Sequence, residues 1–134
     1  MITKVMSRRG VFKDLHNYLL TASDINGPWS KPLYLNSSGF DPFLFHDDDG
    51  RKWLLNMRWD FRKGRHRFAG VVKQLFSPEE GKLVGPVRTI VTGTSLGVTE
   101  GPFYVQAGRL VLLVAGGGRN RLESCGNAGA FSSA

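Results

Sequence analysis

The sequence contains a single cysteine in 134 residues, so an internal disulfide cannot brace its fold. It also lacks any run of about 18 apolar residues, the length that a membrane-spanning helix needs. The first 20 residues have no continuous apolar stretch of the kind found in signal peptides. These absences predict a protein with no membrane partner and a cytoplasmic location.

Acidic residues are also scarce, because 11 Asp and Glu stand against 18 Lys and Arg, a formal net charge of +7. A basic balance is compatible with nucleic-acid binding, although net charge does not determine a fold. Hydrophobic residues make up 41% of the chain, too many for a disordered protein. The length and composition therefore suit a globular fold.

The apolar residues show no 3.6-residue period over three turns, so long helices are not predicted. Short runs rich in β-branched and aromatic residues instead alternate with turn sequences. The sequence therefore predicts an all-β fold. The predicted strands cover residues 17–22, 42–46, 52–57, 67–75, 87–91, 103–106 and 109–114.

Two segments of the sequence resemble each other. Each has a carboxylate shortly before Pro-Phe, Asp41 in one and Glu100 in the other, followed by a strand, a turn and a second strand. Phe43 and Phe103 stand 60 positions apart, which suits one propeller blade somewhat longer than the ~40–50 residues of WD40 or kelch blades. Because propellers have ~4–8 blades, the chain is predicted to form a partial propeller of about two to two and a half blades.

The repeated acids indicate where chemistry could occur. The innermost strands of neighbouring blades line one channel, so Asp41 and Glu100 are predicted to face a common cleft. Glycoside hydrolysis needs two such carboxyl groups, one protonated to assist the leaving group and another ionised. Each acid could instead only cap a turn, since Asp-Pro and Glu-Gly-Pro are turn sequences. The residues alone leave both interpretations open.

Two longer motifs contain these acids, SGFDPFLFHDDDGRKWLLNM at residues 38–57 and GTSLGVTEGP at residues 93–102. They resemble the central region of glycoside hydrolase family 43 β-xylosidases, with supporting similarity from about Val11 to Gly118. The resemblance implies a five-bladed β-propeller. It also implies a hydrolase that cleaves O-glycosidic bonds of xylan-derived oligosaccharides by inversion, as a β-xylosidase or α-L-arabinofuranosidase.

The resemblance implies roles for individual residues as well. Glu100, in Thr-Glu-Gly-Pro, would be the general acid, and Asp41 would tune the pKa of that acid and orient it. Phe40 and His16 are the candidate substrate-binding residues. The expected partner is an oligosaccharide, nucleic acid is not an expected partner, and the oligomeric state is not predicted.

The chain also departs from the family pattern. It contains no Asn-Pro-Asp motif, which carries the general base of the family, so the chain alone is predicted to be inactive. Phe103 and Gly116 stand where the family has His and Glu. The family's Asn-His segment, linked to a central calcium, has no counterpart, so neither a metal nor a cofactor is predicted. The predicted division is a partial catalytic propeller at residues 1–115 and a flexible tail at residues 116–134 that does not match the family.

A non-catalytic carbohydrate- or nucleic-acid-binding β-domain is the alternative. Residues 58–73 hold six basic residues interleaved with aromatic ones, a composition found where proteins grip single-stranded nucleic acid. The same composition fits a solvated loop between two strands. The three tryptophans, Trp29, Trp53 and Trp59, could stack on sugars.

Two further motifs are assigned to structure. The run from Asp47 to Gly50 resembles the opening of a calcium loop, but no glutamate closes a twelve-residue loop, so a hairpin turn is predicted. Asn36-Ser37-Ser38 has the spelling of a glycosylation sequon. Since no secretion signal is recognised, the sequon is predicted to be unused.

Overall fold

The computed structural model describes residues 1–5, 15–93, 98–107 and 110–118. Within these ranges the chain forms nine β-strands, and none of the described residues belongs to a helix that could cross a membrane. The predicted all-β fold is therefore confirmed. The strands are β1 Ile2–Val5, β2 Leu15–Leu19, β3 Leu33–Asn36, β4 Gly39–His46, β5 Lys52–Trp59, β6 Phe68–Ser77, β7 Lys82–Val91, β8 Val98–Ala107 and β9 Leu110–Gly118.

The predicted strands all coincide with observed ones, but two short strands were missed. β1 and β3 have four residues each, too few to show an alternating pattern. β7 begins at Lys82, earlier than the predicted start at residue 87, and it includes Pro86. β7 is an edge strand of its sheet, where a proline without an N–H is tolerated.

The structure also corrects the start of the predicted tail. Gly116 to Gly118 continue β9 and pair with Val98 to Glu100 of β8. A glycine run has little intrinsic strand preference, so only the ladder with β8 explains this extension. Arg109, where the last predicted strand starts, and residues 119–134 lie outside the described residues.

The strands form three antiparallel sheets in chain order: β1-β2-β3, then β4-β5-β6-β7, then β8-β9. The four-stranded sheet lies between the other two, since β4 contacts β1 and β2 as well as β8. Neighbouring strands in each sheet are also neighbours in the chain. Such meandering sheets packed side by side are the blades of a β-propeller, so the predicted partial propeller is confirmed.

The central sheet is buried on both faces. Leu54 and Leu55 are adjacent in β5 and point to opposite faces, as successive strand residues do, and they are 1% and 0% exposed. Leu54 packs with Leu35 of the first sheet, and Leu55 packs with Leu113 of the third. A third cluster joins Met57 to its neighbours Phe68 and Val71 and to Val98 of β8. Each buried leucine contributes about 1.5–3 kcal/mol of transfer free energy.

A buried polar network joins the first and second sheets. Asn17 and Asn56 are 0% and 1% exposed. The Asn17 amide donates to Asn36 Oδ1 (2.8 Å) and to the Gly39 carbonyl (3.1 Å), while Asn36 Nδ2 donates to Asn56 Oδ1 (3.2 Å). Asn56 in turn donates to Ser38 Oγ (2.9 Å) and to the carbonyl of the next residue (2.9 Å). These amides are satisfied inside the protein, as buried polar groups must be.

Asn36, the asparagine of the sequon, belongs to this network. Asn36 Nδ2 is the nitrogen that a glycan would modify, and it donates to Asn56 instead. Glycosylation would require this nitrogen to leave the network, which is a structural reason for the sequon to remain unmodified.

We expect Asn56→Ala to lower the free energy of unfolding by about 1–3 kcal/mol, because it leaves buried partners without hydrogen bonds. Urea denaturation of the purified chain measures this loss. Asn26→Ala is the matched control, since the Asn26 amide bonds to Asp24 in an exposed turn. Equal losses in the two variants would show that the network contributes no more than a surface contact.

Candidate active site

The two internal repeats share an unusual backbone feature. Asp41 has φ 55° and Gly101 has φ 57°, and strand pairing shifts between Phe40 and Phe43 in β4 and between Glu100 and Phe103 in β8. Both strands therefore carry the same irregularity directly before their Pro-Phe pair. The structure supports the repeat and refines its alignment.

That alignment changes the relation between the two predicted acids. Gly101 is the counterpart of Asp41, so Glu100 corresponds to Phe40 instead. The two acids stand one position apart in the repeat, although the sequence comparison placed both simply before Pro-Phe. The Asp41 carboxylate meets the peptide unit after Glu100 because neighbouring sheets are in contact there, and not because the two acids are equivalent residues.

Asp41 holds a strained conformation. It is the only non-glycine residue with a positive φ in the described part of the chain. A left-handed conformation costs a non-glycine residue about 1–3 kcal/mol and persists only where the surroundings enforce it. Residues with such strain gather at functional sites, so the backbone itself singles out Asp41.

The Asp41 side chain bridges two sheets. Its Oδ2 accepts a hydrogen bond from the backbone N–H of Gly101 at 2.9 Å. Gly101 directly follows Glu100, so the bond holds the peptide unit that links these two residues. A carboxylate that accepts an N–H makes a stronger bond than a neutral acceptor does. Asp41 is thereby tied to the backbone beside the second predicted acid.

An open cleft of about 620 Å³ lies at this junction. Its volume is within the range of small-molecule sites. Phe43 and Phe103 meet edge to face across it, with ring centroids 6.0 Å apart. The lining residues are Asp41, Pro42, Phe43, Gly101, Pro102, Phe103 and Gly116.

Both departures from the family pattern that fall within the described residues lie in this cleft. Phe103 and Gly116 line it, and Gly116 is the ladder partner of Glu100. Sequence reasoning did not select Gly101, Phe103 or Gly116 as site residues. An alignment of the two repeats residue by residue would have found Gly101, because it takes the place of Asp41.

The two predicted substrate-binding residues lie elsewhere. Phe40 packs against Trp59, with ring centroids 5.4 Å apart, and the ring of His16 lies beside Tyr18 and Tyr34 at 6.3 and 5.6 Å. Neither Phe40 nor His16 is among the residues that line the cleft. Their binding roles stay predictions.

The acidic run after β4 forms the predicted hairpin turn. The Gly50 N–H donates to the Asp47 carbonyl at 3.0 Å, and the Asp47 carboxylate accepts from Arg51 Nε (2.8 Å) and Trp53 Nε1 (3.0 Å). Across the described ranges, no three His, Cys, Asp or Glu side chains are grouped to hold a metal ion.

The surroundings of Asp47 lower the pKa of its carboxyl group. Burial acts to raise the pKa, but the hydrogen bonds from Trp53 and Arg51 and the charge of Arg51 together outweigh it. A carboxyl group with a depressed pKa stabilises the folded state above its ordinary pKa. That stabilisation disappears as the pH falls through the depressed value.

We therefore expect Asp47→Asn to be less stable than the unmodified chain by about 0.2–1 kcal/mol near pH 7. The difference should vanish as the pH falls from about 4 towards 2, where Asp47 itself becomes neutral. Urea denaturation across this pH range measures it, with Asp24→Asn in an exposed turn as the control. A difference that persists unchanged at pH 2 would contradict the ionic role of Asp47.

The middle of the basic stretch, residues 60–67, forms a loop between β5 and β6, as one of its two interpretations predicted, and its two ends belong to those strands. Arg62 pairs with Asp60 and so lowers the Asp60 pKa, and Arg67 donates to the Phe61 carbonyl at 2.7 Å. Phe68 is buried and Trp59 is partly buried. Two of the interleaved aromatics therefore serve packing.

The tryptophans differ in their environments. Lys73 Nζ lies over the Trp53 ring, 5.1 Å from its centroid, and Trp53 Nε1 donates a hydrogen bond to the Asp47 carboxylate. Burial, followed by the charges of Arg88 and Arg51, lowers the pKa of Lys73. Trp29 is 51% exposed. Of the three rings, Trp29 alone is more than half exposed.

The three sheets and their acid-bearing cleft define a β-propeller protein. Residues 2–128 match the model of the glycosyl hydrolases family 43, and the chain belongs to this family. The match continues past residue 116, where the tail was predicted to begin.

The curated relatives are enzymes named for xylosides. The chain is 54% identical over 124 residues to xylosidase/arabinosidase 43B of Humicola insolens, which covers 92% of the chain and 23% of the relative. It is 50% identical over 114 residues to a β-xylosidase of Bacillus subtilis, which covers 85% and 21%. The chain thus spans less than a quarter of these relatives.

A solved structure shows the same fold. The xylan β-1,4-xylosidase from Bacillus halodurans C-125 superposes with a TM-score of 0.89 and 53% sequence identity, covering 98% of this chain and 25% of that enzyme. The chain is therefore a part of a five-bladed β-propeller.

Proposed function

We propose that the protein to which this chain belongs is a glycosidase that hydrolyses O-glycosidic bonds of xylan-derived oligosaccharides with inversion. Its substrates would be β-xylosides, α-L-arabinofuranosides or both. The proposal rests on family membership and on one observation, the strained Asp41 whose carboxylate binds the N–H of Gly101 beside Glu100. A cytoplasmic location and the absence of a cofactor stay predictions.

In this proposal Glu100 donates a proton to the leaving glycosidic oxygen. An aglycone with a high pKa leaves slowly as an anion, so protonation in the transition state lowers the barrier. The carboxylate of Asp41 disfavours a second negative charge nearby and so helps to keep Glu100 protonated near neutral pH. The hydrogen bond that the Gly101 N–H donates to Asp41 Oδ2 supports this role, because it holds the backbone at Glu100.

Inversion also needs a base that activates water on the opposite face of the sugar, about 6.5–9.5 Å from the acid. The family motif that carries this base does not occur in these 134 residues. We therefore propose that the chain contributes the acid side of the site and that other parts of the propeller contribute the base.

A chimera tests the proposed function. In it, this chain replaces the matching quarter of the Bacillus halodurans xylosidase, whose fold it shares. The chimera should hydrolyse an aryl β-xyloside, whereas the isolated chain should not. A folded, monodisperse chimera without activity would overturn the proposal, and turnover by the isolated chain that is lost in Glu100→Gln would show that the chain needs no separate base.

We expect Asp41→Asn in the chimera to move the limb of the pH–rate profile that reports the general acid to lower pH. The physical reason is that a neighbouring negative charge is removed, and a shift of about one pH unit corresponds to ~1.4 kcal/mol. The profile of kcat/KM against pH measures the shift. Asp24→Asn, in the exposed turn between β2 and β3, is the control, and an unmoved limb in Asp41→Asn would remove Asp41 from this role.

A further inference from the structure

Asn17 connects the buried polar network to the strand that carries Asp41. It belongs to β2 in the first sheet and is fully buried. Its amide nitrogen donates to the carbonyl of Gly39, the first residue of β4, at 3.1 Å. This contact crosses from the first sheet to the second, two residues before Asp41.

The opposite side of Gly39 is also confined. A Cβ atom at this position would lie 1.9 Å from the Met57 carbonyl oxygen, so only glycine fits. Asn56 Nδ2 donates to that same carbonyl at 2.9 Å. The start of β4 is therefore held between one asparagine amide and a carbonyl that a second asparagine amide fixes.

The strained residue follows directly. Asp41 has a positive φ at an irregularity in the pairing of β4 with β5, and irregularities of this kind often re-aim a side chain. Strain persists only where the surrounding contacts over-determine it. The contacts at Gly39 supply this constraint on the N-terminal side, and the bond to Gly101 supplies it at the carboxylate.

We propose that Asn17 is a positioning residue for Asp41. By donating to the Gly39 carbonyl it holds the start of β4 in the place from which the Asp41 carboxylate reaches the Gly101 N–H. The catalytic consequence rests on the proposed function, but the mechanical coupling does not. Asn17 belongs to the first sheet and Gly101 to the third, so the coupling runs between these sheets through the start of β4.

Two variants separate positioning from simple stabilisation. Asn17→Leu keeps the approximate size and removes every hydrogen bond of the side chain. Thr3→Val is the matched control, because it removes the donor to Asn17 Oδ1 (2.7 Å) and leaves both bonds from Asn17 Nδ2 in place. Asn17→Ser, too short to reach Gly39, replaces Asn17→Leu if that variant does not fold.

Amide hydrogen exchange in the full chain is the first readout. Exchange at Gly101 should accelerate by about tenfold in Asn17→Leu, the factor expected for one lost hydrogen bond. The reference is the amide of Asp47, which bonds to the Arg51 carbonyl in the turn between β4 and β5, at the far end of the central sheet from Asp41. Gly101 should accelerate relative to Asp47 in Asn17→Leu and not in Thr3→Val. Equal acceleration at both amides would overturn the proposal, since general destabilisation affects both.

Kinetics of the chimera are the second readout. Asn17→Leu should shift the acid limb of the pH–rate profile and lower rates most for poor leaving groups, whereas loss of folded enzyme would scale all rates equally. If the acid limb of the pH–rate profile does not move and the ratio of rates for good and poor leaving groups does not change, the positioning role is overturned. If Glu100→Gln leaves the chimera fully active, the proposed function fails instead, and the exchange result at Gly101 still decides the coupling.

Discussion

Replacing Glu100 by alanine in the chimera should lower kcat/KM by about 10²–10⁴-fold for xylosides with poor leaving groups, the usual contribution of a general acid. Xylosides of strongly acidic phenols should lose much less, because such phenols leave without a proton. The dependence of log kcat/KM on leaving-group pKa should therefore become steeper. A series of aryl β-xylosides measures this slope.

Glu80→Ala is the matched control for Glu100→Ala. Glu80 pairs with Lys82 in the exposed turn between β6 and β7, so its removal should leave the slope unchanged. If Glu100→Ala lowers the rates of good and poor leaving groups equally, Glu100 does not donate the proton. The strained Asp41 and its bond to Gly101 would then serve another purpose.

The second large effect concerns Leu54 and Leu55, which are buried on opposite faces of the central sheet. Leu54→Ala and Leu55→Ala should each lower the free energy of unfolding by about 2–5 kcal/mol, because each leaves a cavity between two sheets. Domains of ordinary stability have only about 5–15 kcal/mol. Each change should therefore produce a clear shift of the urea midpoint of the purified chain.

The two leucines should also differ in where they loosen the structure. Leu54 packs against Leu35, so its loss should speed amide exchange in β3, and Leu55 packs against Leu113, so its loss should speed exchange in β9. Val87→Ala is the control, since Val87 is 54% exposed in β7. A loss as small as that of Val87→Ala would contradict the two-sided burial of the central sheet.

Much of the fold could be predicted because its strands and turns have recognisable local residue patterns. The repeat around Phe43 and Phe103 indicated two related hairpins, and the structure shows the same backbone irregularity in both. β1 and β3 could not be predicted, since four residues carry too little periodicity. The extension of β9 through Gly118 depends on its pairing with β8. A run of glycines by itself does not predict a strand, so this extension could not be predicted.

The candidate site was predictable only in part. Asp41 stood out through its motif and lies in the cleft, whereas the role of Gly101 depends on a contact between two sheets. Asn17 lies outside the two acid-bearing motifs, and the sequence pattern did not select it. Its importance comes from Gly39, which lies 22 positions away and meets it only after both sheets have formed.

The rate of aryl β-xyloside hydrolysis by the chimera, compared with that of its Glu100→Gln variant, decides whether this chain carries the acid side of a glycosidase site. We expect a folded chimera that turns over a substrate with a poor leaving group, and a loss of about 10²–10⁴-fold in Glu100→Gln. Equal rates in the two proteins, or a folded chimera without any activity, would contradict the assignment.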